Sequence, residues 1–300
     1  MTARDANTPI LKVSVILPTY CDWDNVALCL EMLAAQDLPA SDFEVIVANN
    51  NRDPDVPTDL PLGPNMRVVW APTPGSYAAR NTGLAASRGA FVFFIDADCR
   101  PIACWLSQGL RRFETVPGCR RIAGPVLVTP DTGVWNGWSL YDSAFNLCQE
   151  AYVRRGYAVT ANLAVEKTLF EEIGTFREES FSGEDKEWNR RASAAGVPLV
   201  YQDGMSVAHP ARDSFADCAQ KRRRLAGARF VAKSGRPVAQ RMPRLHYILP
   251  SPAAFWKIWR HPVPVALSAR LAAMWCHYAL GWVHNAEIIR LGLFGGTPER

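Results

Sequence analysis

An apolar, β-branched run from Val13 to Leu17 ends at Pro18 and predicts a buried strand. Behind Asp24, a candidate helix cap, Val26, Leu30 and Leu33 recur at helical spacing. Phe43 to Ala48 predicts a second strand, which stops in the turn-forming cluster Asn49, Asn50, Asn51. Arg67 to Trp70 predicts a third strand, and the Ala-rich stretch Ala78 to Arg88 predicts a helix stopped by Gly89. Phe91 to Ile95 is a fully apolar fourth strand running into Asp96-Ala97-Asp98. Strands that alternate with helices predict a mostly parallel, doubly wound α/β sheet, and ligands of such sheets collect at the carboxyl ends of the strands. Three polar clusters fall at those ends: Pro18-Thr19-Tyr20, Asn49 to Asn51, and Asp96 to Asp98.

Beyond Pro101 the pattern loosens. Arg121 to Val128 and Pro198 to Gln202 are strand candidates, and Lys186 to Ala195 reads as a helix behind the turn Gly183-Glu184-Asp185. From about Asp213 the chain turns helical and basic, with Lys221, Arg222, Arg223, Arg224, Arg229, Lys233, Arg236, Arg241 and Arg244. The apolar stretch Leu271 to Val283 follows. It is interrupted by His277 and is shorter than the roughly 20 apolar residues of a membrane span.

Composition narrows the classes. A chain of 300 residues accommodates one large α/β domain with an appendage. A net charge of +4 is too small to argue for a nucleic-acid surface. The eight cysteines contain no CxxC pair, which speaks against a zinc ribbon and for free, mostly buried thiols. Met1 to Pro9 lacks the apolar core of a signal peptide, so a cytoplasmic protein is expected. The first strand is followed by no GxGxxG, which argues against a nicotinamide oxidoreductase, and no P-loop GKS or GKT occurs.

The candidate chemistry rests on a few residues, each open to two readings. Asp96 and Asp98 are either solvated acids of a strand-end turn or carboxylates that meet a hard divalent cation together with phosphate oxygens. Glu184 and Asp185 are either helix-start acids or carry a general base. Arg80, near a helix start, faces either solvent or a phosphate. His209 is a structural histidine or a ligand.

The ordered set of segments resembles a family-2 glycosyltransferase with the GT-A fold, over roughly Val13 to Arg224. Val-Ser-Val-Ile-Leu-Pro-Thr-Tyr (13–20), Phe-Glu-Val-Ile-Val-Ala-Asn-Asn (43–50), Ala-Ala-Arg-Asn-Thr-Gly-Leu (78–84), Phe-Ile-Asp-Ala-Asp-Cys (94–99) and Glu184-Asp185 carry the resemblance, together with Ala161 to Ala164 and Phe170 to Arg177. The resemblance implies a GT-A catalytic domain over 1–215, with a nucleotide-sugar half at about 10–100 and an acceptor half at about 101–215. A basic, amphipathic helical region at 216–300 follows. It also implies that Pro18, Thr19, Tyr20 and Asn49 line the nucleotide pocket, that Asp96 approaches the ribose, and that Arg80 lies near the diphosphate. Asp98 and His209 would hold Mn²⁺ or Mg²⁺. Asp185 would be the base of an inverting transfer, with Glu184 contacting the acceptor. The donor would be a nucleotide-diphosphate sugar, UDP by preference, and the acceptor a glycan or lipid-linked hydroxyl in surface glycan, polysaccharide or glycolipid synthesis.

Two departures qualify the resemblance. Asn49 stands where the family usually has an acid. Gln220-Lys-Arg-Arg-Arg224 has arginine in place of the tryptophan of a QxxRW motif, which argues against a processive synthase. The competing reading is a degenerate sugar-nucleotide-binding or scaffold protein of the same fold. The basic run and the apolar stretch, with Trp256, Trp259, Trp275 and Trp282, further predict peripheral contact with the inner face of the cytoplasmic membrane.

Overall fold

A computed structural model describes residues 11–180, 182–233, 243, 249 and 251–298. The chain divides into two compact units. The first comprises residues up to Val126, Gln149–Glu179 and Glu184–Ala208; the second comprises Leu127–Cys148, Ser180–Gly183 and His209 onward. The division does not follow a single cut at residue 215: the segment Leu127–Cys148, expected in an acceptor half, belongs with the C-terminal helices.

The first unit is built on a seven-stranded sheet of order β3-β2-β1-β4-β8-β6-β9. Its strands are β1 (Val13–Thr19), β2 (Phe43–Asn49), β3 (Met66–Trp70), β4 (Phe91–Ile95), β6 (Arg121–Ala123), β8 (Asn162–Glu166) and β9 (Val200–Tyr201). The first four are mutually parallel, β8 runs antiparallel to β4 and β6, and β9 is parallel to β6. The expected strand over Arg121–Val128 is divided at Gly124-Pro125 into β6 and β7 (Val126–Thr129). Proline has no N–H to continue the ladder. A short β5 (Arg100–Pro101) pairs antiparallel with Ala208 and Val207 of β10 (Val207–Pro210).

Continuous apolar runs form the central strands because helices cover both faces. Val15 pairs with Phe93 and Ile16 with Phe94, so the members of each pair share one face. Helix α2 (Ser76–Ala86) lies on the Ile16 face, where a Cβ on Gly83 would stand 2.6 Å from the Ile16 side chain. Helix α3 (Trp105–Thr115) lies on the other face, where a Cβ on Gly109 would stand 2.4 Å from Phe93. Gly83 and Gly109 thus let the helices approach more closely than any other residue would allow. Trp188 and Ala192 of α7 (Glu184–Ala194) join the same core cluster as Ile16, Tyr77, Leu84 and Phe94. Helices α2 and α7 therefore share one side of the sheet. α1 (Trp23–Ala34), α5 (Gln149–Val153) and α6 (Thr168–Ile173) complete the unit.

Two buried charges hold this sheet. Glu44 sits inside β2 at 1% exposure and accepts from the Ser14 hydroxyl (2.7 Å), the Arg88 backbone N–H (2.7 Å) and the side chains of Arg88 and Arg67 (both 3.1 Å). Burial pushes its carboxyl up, but the Ser14 and Arg88 hydrogen bonds outweigh burial, and the pKa lies below the usual glutamate value. A depressed carboxylate stabilises the fold above its unfolded pKa, and that stability is lost as pH falls through the folded value. Glu44→Gln is therefore expected to lower stability at neutral pH by about 1–3 kcal/mol. The difference from wild type should shrink in denaturant melts as pH falls below the ordinary glutamate range; a gap that persists there would refute the assignment.

The second buried charge is Arg121 of β6, fully buried among the described residues with no acid against it. Its guanidinium donates to the Asn189 carbonyl and side chain (both 2.9 Å), to Ser193 Oγ (3.1 Å) and to the Val197 carbonyl. These bonds tie α7 to the sheet. Burial without a counter-ion pulls its pKa down to about 10.

The second unit is helical: α4 (Gly137–Phe145), α8 (Phe215–Val231), α9 (Pro252–Trp259) and α10 (Leu267–Leu293). Its core joins Leu140, Tyr141, Ala144, Cys218, Ala219, Ile258, Ala273, Cys276 and Leu280. Asn136 caps α4 by accepting from the Ser139 N–H at 2.9 Å, while the Ser139 hydroxyl accepts from the Asn136 N–H at 2.9 Å. Asp142 is fully buried and is met by Arg212 at 3.3 Å and Lys221 at 3.7 Å.

This alters the expectation of a basic surface run. Lys221 is held inward against Asp142, where burial pulls its pKa down to about 8. Of Lys221 to Arg224 only Arg224 is exposed, the others being half-buried. Arg236, Arg241 and Arg244 lie outside the described residues. The apolar stretch Leu271–Val283 is the middle of the 27-residue helix α10. Among the described residues no helix is long and apolar enough to cross a membrane.

Candidate active site

Strand register brings the polar clusters of the sequence to one edge. Thr19 pairs with Asn49, and Asn49 with Trp70, so the carboxyl ends of β1, β2 and β3 are level. The next strand, β4, delivers Asp96 and Asp98 just past Ile95.

The three asparagines act on the backbone of this edge. Asn51 Oδ1 accepts from the N–H of Cys21 at 2.6 Å and holds it at φ 51°, a left-handed conformation uncommon outside glycine. Asn50 donates to the carbonyls of Ala71 and Thr73 (both 2.7 Å) and accepts from the N–H of Gly75 at 2.8 Å, which sets the entry to α2. Asn49 is fully buried; its Nδ2 donates to the carbonyls of Asp53 (3.4 Å) and Asp55 (3.3 Å), and its Oδ1 accepts from the Asn51 N–H (2.9 Å). Asn49, expected to line the nucleotide pocket, thus has its amide engaged by the 51–55 loop. Pro18 is half-buried, Thr19 is buried, and Tyr20 is 59% exposed at the end of β1.

A chain of contacts connects the two acidic motifs. Arg80, expected beside a diphosphate, is only 5% exposed. Its Nη2 donates to Asp96 Oδ1 at 2.5 Å and its Nη1 to the Ser76 carbonyl at 3.2 Å. The guanidinium lies over the Tyr77 ring at 5.6 Å from the centroid. The Tyr77 hydroxyl donates to Asp185 Oδ1 at 3.3 Å and accepts from the N–H of Glu184 at 3.1 Å. Burial pushes the Tyr77 phenol well above its usual pKa, so it stays protonated and able to donate. The contacts follow from the fold, because α2 and α7 share one face of the sheet.

Asp185 is half-buried at the first turn of α7, and its Oδ1 also accepts the Lys186 N–H at 2.9 Å. Desolvation raises its pKa and Asp96 adds to the rise, while the Lys186 N–H, Arg80 and Tyr77 oppose it; the net direction is upward. A carboxylate raised toward neutrality is a better proton acceptor than an ordinary surface aspartate.

Glu184, expected to touch an acceptor, is 2% exposed. Its Oε1 accepts from the Arg177 N–H at 2.9 Å and from Arg191 at 3.3 Å, so its contacts orient α7. Asp98 is half-buried. His209 lies in the second unit, 5% exposed, with its Nδ1 2.8 Å from the Pro210 carbonyl oxygen. Among the described residues, no three His, Cys, Asp or Glu side chains gather as a metal-holding set. Asp98 offers a hard carboxylate donor. It fits Mg²⁺ or Mn²⁺ provided that phosphate oxygens of a substrate complete the coordination.

Comparison with known proteins decides the family. Residues 14–157 match the family model described as glycosyl transferase family 2. The glycosyltransferase AglE of Haloferax volcanii is 34% identical over 206 residues, which cover 67% of this chain and 67% of AglE. The chain belongs to glycosyl transferase family 2. The fold is GT-A. Staphylococcus aureus TarS 1–349 in complex with UDP-GlcNAc superposes with a TM-score of 0.51 at 22% identity, covering 73% of this chain and 67% of that one. The mannosyltransferase PcManGT of Pyrobaculum calidifontis, in complex with GDP-Man and Mn²⁺, gives 0.50 at 19% identity, covering 95% and 76%. Other curated relatives are matched over only 15% to 36% of their own length.

For this family-2 glycosyltransferase, sequence reading singled out both acidic motifs and the asparagine cluster but not Tyr77 or Arg121. Tyr77 stands three residues before Arg80 on one helix face, a spacing that hints at partnership only once α2 is placed.

Proposed function

We propose that the protein transfers a sugar from a nucleotide-diphosphate sugar, UDP by preference, to a hydroxyl acceptor with inversion at the anomeric carbon. The contact chain Asp96–Arg80–Tyr77–Asp185 at the carboxyl ends of the parallel strands carries this reading. Along it a half-buried carboxylate of raised pKa, Asp185, lies a few side chains from the strand-end acid Asp96.

In this mechanism Asp185 accepts the proton of the acceptor hydroxyl while the oxygen attacks the anomeric carbon and the bond to the diphosphate breaks. Tyr77 and the Lys186 N–H aim its carboxylate, and Glu184 and Arg121 hold α7 so that the base keeps its place. Asp96, with Arg80 bonded to it, faces the donor. Asp98 would hold Mn²⁺ or Mg²⁺ together with the donor diphosphate. Bound there, the metal would stabilise the charge of the leaving diphosphate. Pro18, Thr19 and Tyr20 would line the nucleotide side, with Asn49 behind them. The acceptor would be a glycan or lipid-linked hydroxyl in surface glycan synthesis; among the relatives, TarS is a poly(ribitol-phosphate) β-N-acetylglucosaminyltransferase. Peripheral contact of the C-terminal helices with the cytoplasmic membrane is part of the same reading.

The donor base is tested by a thermal-shift panel of UDP, GDP, TDP and CDP with Mn²⁺. UDP is expected to give the largest stabilisation, because a ligand that binds only the folded state raises Tm by mass action. The two solved relatives hold different bases, UDP and GDP. Stabilisation by GDP alone would overturn the UDP assignment. Silence from all four would favour the non-catalytic reading.

A further inference from the structure

Helix α10 has its polarity inside out. A helix on a water-soluble domain turns its apolar stripe inward and its polar residues to solvent. Here His284, Asn285 and Glu287 are buried at about 5%, 5% and 4% exposure, and the inward face also carries Ala273, Cys276, Leu280, Ile288 and Leu291. The outward face carries Leu267, Leu271, Trp275, Trp282, Ile289 and Leu293, exposed by 57%, 54%, 70%, 62%, 38% and 67%. At about 100° per residue these six positions fall within roughly 80° of arc. They form one continuous apolar stripe about 40 Å long at 1.5 Å per residue.

The neighbouring helix widens the stripe. Arg270 donates to the carbonyls of Ile258 (2.5 Å) and Trp259 (2.8 Å), and the Ser251 N–H donates to the Tyr278 hydroxyl (3.3 Å), which fixes α9 along the flank of α10. Trp256 and Trp259 of α9 are 53% and 45% exposed, and the Arg260 guanidinium lies 5.1 Å from the Trp256 ring centroid.

Charge selects the partner. Residues 251–298 contain one acid, Glu287, which is buried and paired with Arg290 at 2.7 Å. The same residues contain four cations: Lys257, Arg260, Arg270 and Arg290. An apolar stripe with tryptophans, cationic flanks and no exposed acid matches an anionic bilayer surface. Tryptophan favours the headgroup boundary, and arginine the anionic leaflet. The helix is not apolar enough to cross, so it would lie in the interface.

We infer that the outer stripe of α10, widened by Trp256 and Trp259, is a lipid-docking face that inserts its apolar side chains into an anionic leaflet. The inference rests on the proposed peripheral membrane contact, expected from the basic run together with the apolar stretch Leu271–Val283, and assigns it to one face of α10, since Lys221 of the basic run is turned inward.

The test floats the full-length protein with vesicles of phosphatidylcholine containing phosphatidylglycerol, with brominated acyl chains as quenchers of tryptophan fluorescence. The wild type is expected to float and to be quenched. A Trp275→Ser, Trp282→Ser variant should partition at least about tenfold less and lose most of the quenching. Both side chains are exposed, so its melting profile should match the wild type. If wild type and variant float equally, the α10 assignment fails while the peripheral reading survives. If the wild type stays in the soluble fraction at low salt, both fail. A concentration-dependent dimer that the variant abolishes, with no vesicle binding, would make the stripe an interface between copies and overturn the lipid assignment. No donor is present in these assays, so neither failure touches the proposed transfer reaction.

Discussion

Replacing Asp185 by asparagine is expected to lower sugar transfer by about 10²–10⁴-fold, the usual worth of a positioned general base, while donor affinity stays unchanged. The asparagine is nearly isosteric and still accepts from Tyr77 and from the Lys186 N–H, the two bonds that position the wild-type carboxylate. What it lacks is the capacity to take a proton. The pH dependence supplies a second readout. Transfer requires the ionised carboxylate, so kcat/KM should fall as pH drops through the pKa of Asp185. Burial raises that pKa above the ordinary aspartate value, so the acid limb should lie higher than for a solvated aspartate. Tyr77→Phe removes a hydrogen bond that favours the charged form, and the limb should move further up. Retained turnover in Asp185→Asn, or a product with the donor's anomeric configuration, would reject the assignment.

Asp98→Ala is expected to make nucleotide binding independent of Mn²⁺ and to lower transfer by at least roughly 10²-fold, since a metal on a phosphoryl oxygen is worth several kcal/mol of charge stabilisation. No three His, Cys, Asp or Glu side chains gather around a metal among the described residues. If Asp98 is the carboxylate that meets the metal, its loss should be felt in full. Calorimetry with the nucleotide selected by the thermal panel, with and without Mn²⁺, measures the effect. Unchanged metal-dependent affinity would rule Asp98 out. Asp96→Asn provides the contrast. Asp96 accepts from Arg80 at 2.5 Å, so its loss would disturb Arg80 and, through it, the Asp185 side of the site.

The sequence by itself determined the strands and the edge at which chemistry gathers. Val13 to Leu17, Phe43 to Ala48 and Phe91 to Ile95 are continuous apolar runs because both faces of those strands are buried, and their ends are marked by polar turn residues. Asp96, Asp98 and Asp185 were legible for the same reason, as acids set immediately after a strand or at the start of a helix. Only the tertiary structure decided what each polar group touches. Arg80 was legible as a cation near a helix start, but its partner Asp96 lies on another element, and the ion pair exists because α2 packs against β1 beside β4. Tyr77 reaches Asp185 because α2 and α7 lie on the same face of the sheet, a fact of topology that no local pattern encodes. The resemblance implied Asn49 as a pocket residue, and the tertiary structure shows its amide bonded to the 51–55 loop. The apolar stretch of α10 and its tryptophans were legible, but which face of the helix turns outward was not, for a related reason. Periodicity shows that a helix has an apolar stripe and a polar one, but which of them faces the protein depends on the helices it packs against. Here buried polar groups on the inner side leave the tryptophans outside.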